Sequence, residues 1–309
     1  MASASWGRVI GTLLMALSRV CAREALHVDG HGRKIRTPLH GRERKNDEER
    51  MNTNGVREKL RAGEATIGSF LGLGSPNIAE LMGHAGFDWL VIESEHNGLD
   101  SAEIQHMLMA VGNTNAVPIV RIPSSNPVYI QKALDMGAMG IVVPFVRTAD
   151  EAEAIVAATR FQPGGTRSWG PLRASAYTMD TEDYLHRAND NILVVLIIET
   201  KEAVDNLEAI SAVPGVDVLN LGPWDLSLSL GLDPLQLPLP EVDAITDRAV
   251  ALGREHGVAV GAGCGSPDAV QGLIDRGIRF ISYGPDYGLM VNAVRGGIEA
   301  FRESASRRR

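Results

Sequence analysis

Two carboxylates at the ends of apolar segments are the residues in this chain most able to do chemistry. Glu199 follows the apolar segment Val194–Ile198, and Asp225 follows a segment that begins at Val218. An apolar run of this length, bounded by polar residues, is typical of a strand buried on both faces. The carboxyl ends of two such strands meet at one edge of a parallel sheet. Carboxylate oxygens with room left for water suit a hard divalent cation, so we predict that Glu199 and Asp225 bind a metal ion.

Further polar residues follow other predicted strands. Glu93 and His96 come after the second strand, and Arg121 ends the third. A divalent ion chelated by an α-keto acid lowers the cost of forming its enolate, and Arg121 can stabilise the same oxyanion. His96, or a metal-bound water that it activates, can move the proton. Each residue alone fits a solvated strand end or a salt bridge at the rim, but their shared face indicates an active site.

Strand-like and helical segments alternate from Met51 to the end of the chain. The 259 residues from Met51 onward match the roughly 250 of a single (β/α)₈ barrel. Eight alternations predict a closed parallel barrel, with its active site at the carboxyl ends of the strands. An open doubly wound sheet is the alternative, but no Gly-x-Gly-x-x-Gly follows the first strand. The predicted strands are Thr66–Leu71, Asp88–Ile92, Pro118–Arg121, Gly140–Phe145, Ile192–Ile198, Val216–Leu221, Val258–Ala262 and Phe280–Tyr283.

The first fifty residues differ from the rest in composition. They carry a net charge of +4, which leaves −12 for the remainder of a chain whose total is −8. The stretch from His27 to Arg50 is polar and charged, and it cannot form a hydrophobic core. We expect residues 1–50 to be a disordered leader, or sequence upstream of a start at Met51. A targeting peptide is the alternative.

Composition excludes several classes of function. The acidic balance does not favour nucleic-acid binding or a basic membrane-binding patch. Cys21 and Cys264 are too few and too far apart for a disulfide framework or a thiolate zinc site, which favours the cytoplasm. No apolar run of about 18 residues is present, so we expect no membrane-spanning helix.

Several motifs together resemble those of the HpcH/HpaI aldolases, metal-dependent class II enzymes of the phosphoenolpyruvate/pyruvate barrel superfamily. The resemblance covers about Val56 to Phe301. The motifs that carry it are Ala85-Gly86-Phe87-Asp88-Trp89, Ile92-Glu93-Ser94-Glu95-His96, Val120-Arg121-Ile122-Pro123, Val143-Pro144, Ile198-Glu199-Thr200 and Gly222-Pro223-Trp224-Asp225-Leu226-Ser227.

The resemblance implies a role for each matching residue. Glu199 and Asp225 hold Mg²⁺, Mn²⁺ or Co²⁺, His96 is the catalytic base, and Arg121 stabilises the enolate. Asp135 raises the basicity of the histidine, and Glu93 stands where the family usually has Asp. The segment Gly222-Pro223-Trp224-Asp225 contacts substrate, with the backbone amide at Trp224 doing so directly. The implied reaction is reversible aldol cleavage of a 4-hydroxy-2-oxo acid to pyruvate and an aldehyde, through a metal-bound pyruvate enolate.

One residue departs from the family pattern. Ile197 stands where the family has a Gln that helps to hold the keto acid, which leaves the substrate open. Oxaloacetate decarboxylation and an enolate-coupling synthase reaction are the alternatives on the same site. A catalytically silent barrel that binds a metabolite or a partner is a third hypothesis. The family also implies a homo-oligomer, a hexamer built as a trimer of dimers that exchange the last helix, about Val291–Arg302.

Overall fold

The computed structural model describes residues 53–306 and two short segments, Leu26–Val28 and Lys34–Arg36. The chain divides into two compact units, Met1–Glu49 and Arg50–Arg309. In the first unit, the two short segments form strands β1 and β2 and pair antiparallel. The rest of the predicted leader lies outside the described residues, and its character stays a prediction.

The second unit is a closed barrel of eight parallel strands, in the order β10-β3-β4-β5-β6-β7-β8-β9. The prediction of a (β/α)₈ barrel is therefore confirmed. Its strands are β3 (Thr66–Leu71), β4 (Trp89–Glu93), β5 (Val117–Arg121), β6 (Gly140–Val143), β7 (Leu193–Ile198), β8 (Val218–Leu221), β9 (Ala259–Cys264) and β10 (Phe280–Pro285).

The helices begin with α1, which precedes the first barrel strand, and end with α12, which follows the last. They are α1 (Gly55–Arg61), α2 (Pro76–Ala85), α3 (Ser101–Val111), α4 (Pro127–Asp135), α5 (Ala149–Thr159), α6 (Thr181–Asn191), α7 (Lys201–Asp205), α8 (Leu207–Ser211), α9 (Pro223–Ser229), α10 (Pro240–His256), α11 (Pro267–Arg276) and α12 (Asp286–Ser306), with a 3₁₀ turn at Pro234–Gln236.

The predicted strand bounds agree with the structure to within two residues. The agreement follows from burial on both faces, because β6 and β7 are buried at every position and their sequences are continuous apolar runs. Four strand limits differ by two residues from those predicted. The strand predicted to reach Phe145 ends at Val143, because Phe145 adopts a left-handed turn with φ of 54°.

Side chains from alternate strand positions fill the interior of the barrel. Trp89 stacks on Phe280 with ring centroids 3.8 Å apart. Gly68 leaves room for this indole, since a Cβ there would lie 2.0 Å from Trp89. From α1, Val56 and Leu60 pack into the same cluster near the amino-terminal ends of the strands. The interior is a packed core, and any site must lie at the opposite, carboxyl-terminal mouth.

Helix α12 differs from the other helices in its exposure. It contains 21 residues, and Asp286 alone is buried among them. Among the described residues, no helix is long and apolar enough to cross a membrane.

Candidate active site

Along several strands, the side chains that face the barrel interior are apolar, but the last one, at the mouth of the barrel, is polar. Val195 and Ile197 point into the interior cluster. Glu199, two residues after Ile197, faces the same side. The same alternation along β4 and β5 leads to Glu93 and Arg121 at their last positions. Since side chains on one face of a strand recur every second residue, these three polar groups face one space at the mouth.

Glu93 organises the loop that carries His96. Its Oε1 accepts hydrogen bonds from the backbone amides of Glu95 (2.7 Å) and His96 (3.2 Å). Its Oε2 lies 3.2 Å from Nη1 of Arg121. Both oxygens of Glu93 are therefore engaged by the protein, and the side chain positions its neighbours.

Glu95 lies in the same group, and its role was missed by the sequence reasoning, which only placed it among the polar residues after the second strand. Its side chain is 7% exposed, contacts Nη2 of Arg121 and lies 3.3 Å from Nε2 of His96. Burial raises the pKa of Glu95 above its ordinary value, although the charges of Arg121 and His96 act in the opposite direction. The period-two spacing from Glu93 is the sequence signal that places Glu95 on the same side of the chain.

Arg121 and His96 form the cationic part of the site. Nη2 of Arg121 lies 3.4 Å from Nε2 of His96, whose side chain is 61% exposed. Nε of Arg121 is buried and has no hydrogen-bond partner among residues 53–306. The imidazole thus faces the solvent side of the mouth, and the guanidinium keeps one donor for a bound molecule.

Glu199 is almost completely buried, with 2% exposure. Its Oε1 accepts a 2.7 Å hydrogen bond from the backbone amide of Phe145. Burial raises the pKa of Glu199, and the Phe145 amide partly offsets the shift. The neighbouring carboxylates Glu95 and Asp225 raise the pKa of Glu199 further. Such a concentration of negative charge favours a bound cation.

Asp225 reaches the site from the first turn of α9. Pro223 starts this helix, a position at which its fixed φ is favourable. Gly222, just before it, cannot carry a side chain, because a Cβ would lie 2.8 Å from Cβ of Glu199. Gly222, Pro223 and Asp225 are half-buried, whereas Trp224 is 56% exposed at the mouth.

The oxygen ligands fit a hard divalent cation. Glu199 and Asp225 present carboxylates close enough for the charge of Asp225 to raise the pKa of Glu199. In the described part of the chain, no three His, Cys, Asp or Glu residues form a group able to hold a metal ion. A cation bound by these two carboxylates alone would complete its coordination with water or substrate, which is the usual arrangement for Mg²⁺.

Asp135 lies outside this group. It ends α4, which runs back from the mouth toward the amino-terminal ends of the strands, and its Oδ1 lies 2.8 Å from Nη2 of Arg167. Within one chain, the structure therefore brings together Glu93, Arg121, His96, Glu199 and the Gly222–Asp225 segment, but it does not bring Asp135 to His96.

A parallel eight-stranded barrel with clustered carboxylates, an arginine and a histidine at its mouth is suited to an enzyme that makes and breaks carbon–carbon bonds beside a carbonyl. The comparisons with known proteins agree. The HpcH/HpaI aldolase/citrate lyase family model matches residues 66–293. The chain belongs to this family and is a carbon–carbon lyase of the aldolase type.

Named relatives and solved structures support the assignment. The chain is 36% identical to a 2-dehydro-3,6-dideoxy-6-sulfogluconate aldolase of Pseudomonas putida, over 75% of this chain and 91% of the relative. It is 37% identical to a 4-hydroxy-2-oxo-heptane-1,7-dioate aldolase of Salmonella paratyphi C, over 82% and 98%. A crystal structure of an HpcH/HpaI family protein from Burkholderia cenocepacia superposes with a TM-score of 0.77 at 36% identity, covering 81% of this chain and all of that one.

Proposed function

We propose that the protein catalyses reversible aldol cleavage of a 4-hydroxy-2-oxo acid to pyruvate and an aldehyde. The observation that carries the proposal is the convergence of Glu199, Asp225, Arg121 and His96 at one mouth. The aldolase activities after which the Salmonella and Pseudomonas relatives are named support the same reaction class. We further propose that the reaction takes place in the cytoplasm.

Glu199 and Asp225 would hold Mg²⁺, Mn²⁺ or Co²⁺, since carboxylate oxygens accept all three. When bound, the ion supplies Lewis acidity toward the oxygens of the keto acid. The buried position of Glu199 and its bond to the Phe145 amide fix one ligand, while Asp225 is fixed by the first turn of α9.

The remaining steps belong to the side chains. In the cleavage direction, His96 accepts the proton of the C4 hydroxyl, the C3–C4 bond breaks, and its electron pair passes to the C2 carbonyl oxygen. The aldehyde leaves, and the resulting pyruvate enolate then takes a proton at C3. Arg121 donates from Nε toward the oxyanion at C2, which is consistent with the free donor on that atom. Glu93 holds the loop that positions His96.

Segment Gly222–Asp225 would contact the keto acid, with the Trp224 amide as the direct donor. The exposed indole of Trp224 then borders the space for the aldehyde. Asp135 is proposed from family likeness alone to support the base.

A coupled lactate dehydrogenase assay for pyruvate tests the proposal, using a panel of 4-hydroxy-2-oxo acids with and without Mn²⁺. Activity on this panel that EDTA and Glu199→Ala both abolish is expected. Activity that survives both treatments contradicts the metal role. Turnover of oxaloacetate alone, with no aldehyde-dependent bond formation, would instead favour the decarboxylase. No turnover and no pyruvate binding would favour the silent barrel.

We also propose that the protein is a homo-oligomer, a hexamer formed as a trimer of dimers. The exposure of α12 supports an assembly in which this helix is exchanged between subunits. Its exposed apolar residues recur at helical spacing, so they form one stripe. They are Tyr287, Met290, Val291, Val294, Ile298 and Phe301.

A further inference from the structure

A second cavity, of about 340 Å³, lies at the amino-terminal ends of the barrel strands. Arg57, Leu60 and Arg61 of α1 form one wall of this basal cavity, His256 at the end of α10 forms another, and residues 211–217 before β8 form a third. The candidate active site lies beyond the other end of β8, whose four residues span about 13 Å. The basal cavity is therefore separate from the proposed metal ligands.

Arg57 places a buried cation in the wall of the basal cavity. Its side chain is 5% exposed, and its Nε lies 2.7 Å from Oδ1 of Asp217. Its Nη1 donates a hydrogen bond to the carbonyl of Asp190. In the part of the chain that the structure describes, Nη2 of Arg57 neither makes a hydrogen bond nor is enclosed by protein. This nitrogen is therefore a donor that a molecule in the cavity can reach.

Asp217, the acidic residue among those that line the basal cavity, is already engaged by the fold. Its Oδ1 accepts from Nε of Arg57, and its Oδ2 accepts a 3.0 Å hydrogen bond from the backbone amide of Val194. Because both oxygens are held in this way, Asp217 is not free to turn toward other cations around the cavity.

Two further guanidinium groups lie near Arg57. Arg61 lines the basal cavity and is exposed. Arg160 lies against the turn that lines the cavity, since a Cβ at Gly215 would be 3.0 Å from its Nη2. Burial lowers the pKa of Arg160, and the charges of Arg57 and Arg61 lower it further, although two nearby carboxylates act in the opposite direction. Three positive charges therefore repel one another around this space.

The chemistry of these three groups selects the ligand. Like charges held close together are unfavourable, and an anion between them relieves the repulsion. Guanidinium groups bind both carboxylate and phosphate. A planar carboxylate is matched by the fork of one guanidinium, whereas the tetrahedral oxygens of phosphate can accept from donors that approach from several directions. The volume of the cavity lies near the lower end of the range for small-molecule sites, about 300–1,000 Å³.

We propose that the basal cavity binds inorganic phosphate or the phosphate group of a small metabolite, held by Arg57, Arg61 and Arg160. The inference goes beyond the proposed function and does not depend on it, because the cavity lies at the opposite end of the barrel from the site of catalysis. A ligand that binds the folded state stabilises it, so phosphate here strengthens the contact of α1 with the barrel.

Calorimetric titration of the full-length protein with inorganic phosphate tests the inference. The protein is treated with EDTA, so that no metal ion at the mouth can bind phosphate, and the ionic strength is kept constant. One phosphate is expected to bind per chain and to raise the melting temperature. Arg61→Gln should weaken binding roughly 10-fold, since a charge-assisted hydrogen bond is lost. Arg61 is exposed, so this variant should fold as wild type does.

Matched variants locate the phosphate. Arg160→Gln should also weaken binding roughly 10-fold, whereas Arg248→Gln, on the exposed surface of α10, should bind phosphate as wild type does. Absence of phosphate binding to the wild-type protein overturns the inference, as does wild-type affinity in both Arg61→Gln and Arg160→Gln. Loss of binding in Arg121→Gln but not in Arg61→Gln would place the phosphate at the mouth and also overturns it.

Two further titrations identify the kind of ligand. Glycerol 3-phosphate that binds more tightly than inorganic phosphate would support the site and assign it to phosphate esters. Weaker binding of the ester would support the site and assign it to inorganic phosphate. Succinate that binds at least as tightly as either would overturn the assignment to phosphate.

Discussion

The backbone amide of Phe145 donates a 2.7 Å hydrogen bond to Oε1 of Glu199, and Phe145 adopts a φ of 54° to do so. A left-handed conformation is unusual for a non-glycine residue and is commonly found at functional sites. Its role here is to hold one oxygen of a buried carboxylate while the other oxygen remains available. The turn after β6 thus determines the orientation of a proposed metal ligand that directly follows β7.

Glu199→Gln is expected to separate metal binding from folding. Glutamine retains an acceptor for the Phe145 amide but removes the charge, so Mn²⁺ affinity should fall by more than about 10-fold, as loss of a supporting residue alone can do. Calorimetric titration with Mn²⁺ measures this effect. Glu202→Gln, on the exposed surface of α7, is the matched control. Equal Mn²⁺ affinity in both variants would exclude Glu199 as a ligand.

In the metal-free protein, the effect of Glu199→Gln on the melting temperature is expected to depend on pH. The pKa of Glu199 is raised in the folded state, above an unfolded value near 4.3. The folded state therefore binds this proton more tightly than the unfolded state does. As pH rises from the unfolded pKa to the raised pKa of the folded state, this difference lowers the free energy of unfolding. Glu199→Gln should raise the melting temperature at neutral pH, and the gain over wild type should shrink toward pH 4. A gain that does not depend on pH would contradict this origin.

The barrel could be predicted from the sequence because its signals are local. Continuous apolar runs identified the strands, and Gly86, Gly137 and Gly277, each just after a helix, adopt left-handed conformations, with φ of 109°, 101° and 104°. The turn at Phe145 could not be predicted, since it depends on a partner 54 residues away. Glu95 was missed for a similar reason, because its importance comes from its contacts with Arg121 and His96.

Asn220 and Asp135 are two further residues whose surroundings cannot be predicted from local sequence patterns. The side-chain oxygen of Asn220 is buried without a hydrogen-bond partner among the described residues, which is visible only when its neighbours Ile197 and Gly261 are placed beside it. Asp135 was assigned by family likeness, but the geometry of α4 carries it toward Arg167, in a long loop whose position no local pattern indicates. Sequence patterns therefore identified the strand ends well and the contacts between distant loops poorly.

His96→Asn should reduce turnover without weakening metal binding. Loss of a general base typically costs between about 10² and 10⁴ in rate, while His96 is not one of the two proposed ligands. The pyruvate assay measures the rate, and Mn²⁺ calorimetry measures the affinity. His106→Asn, on the exposed surface of α3, serves as the control and should behave as wild type. A small change in rate, less than about threefold, would assign the proton transfer to another group.

Glu95→Gln tests the buried carboxylate between Arg121 and His96. Glutamine removes a charge whose burial is unfavourable, as its raised pKa indicates, so we expect a higher melting temperature. The charge-assisted contact with Arg121 is also lost, so the guanidinium is held less well and turnover should fall about 10-fold. Glu103→Gln, at the exposed start of α3, is the control. Unchanged turnover would show that Glu93 alone positions Arg121.

A chain shortened to Met51–Arg309 is expected to fold and to keep full activity. The first buried contacts among the described barrel residues come from Asn54, whose backbone amide donates to Oδ1 of Asn191 at 2.7 Å and whose Nδ2 donates to the Met139 carbonyl at 2.8 Å. Its Oδ1 also caps α1. Circular dichroism and the pyruvate assay would measure the outcome. Insoluble or inactive protein would show that residues before Met51 belong to the fold.

Asn54→Ala in the shortened chain locates the boundary more closely. Loss of the cap alone typically costs about 1 kcal/mol, and the hydrogen bonds from Nδ2 to the carbonyls of Met139 and Asn191 are lost as well, so a clear drop in melting temperature is expected. Thr53→Ala, which removes only an exposed hydrogen bond from Arg187, is the control. Equal stability of the two variants would mean that the amino-terminal edge of the barrel lies further along α1.

The stripe on α12 predicts how the proposed oligomer can be broken. Ile298 is 44% exposed at the centre of the stripe, and a glutamate there would place a charge in any apolar interface that covers it. Ile298→Glu should therefore shift the mass measured by light scattering toward smaller species. Ala300→Glu introduces the same charge about 200° around the helix, since successive residues are about 100° apart, and should leave the mass unchanged. If both variants keep the wild-type mass, the stripe is not part of the interface; if both dissociate, the effect comes from charge on the helix as a whole.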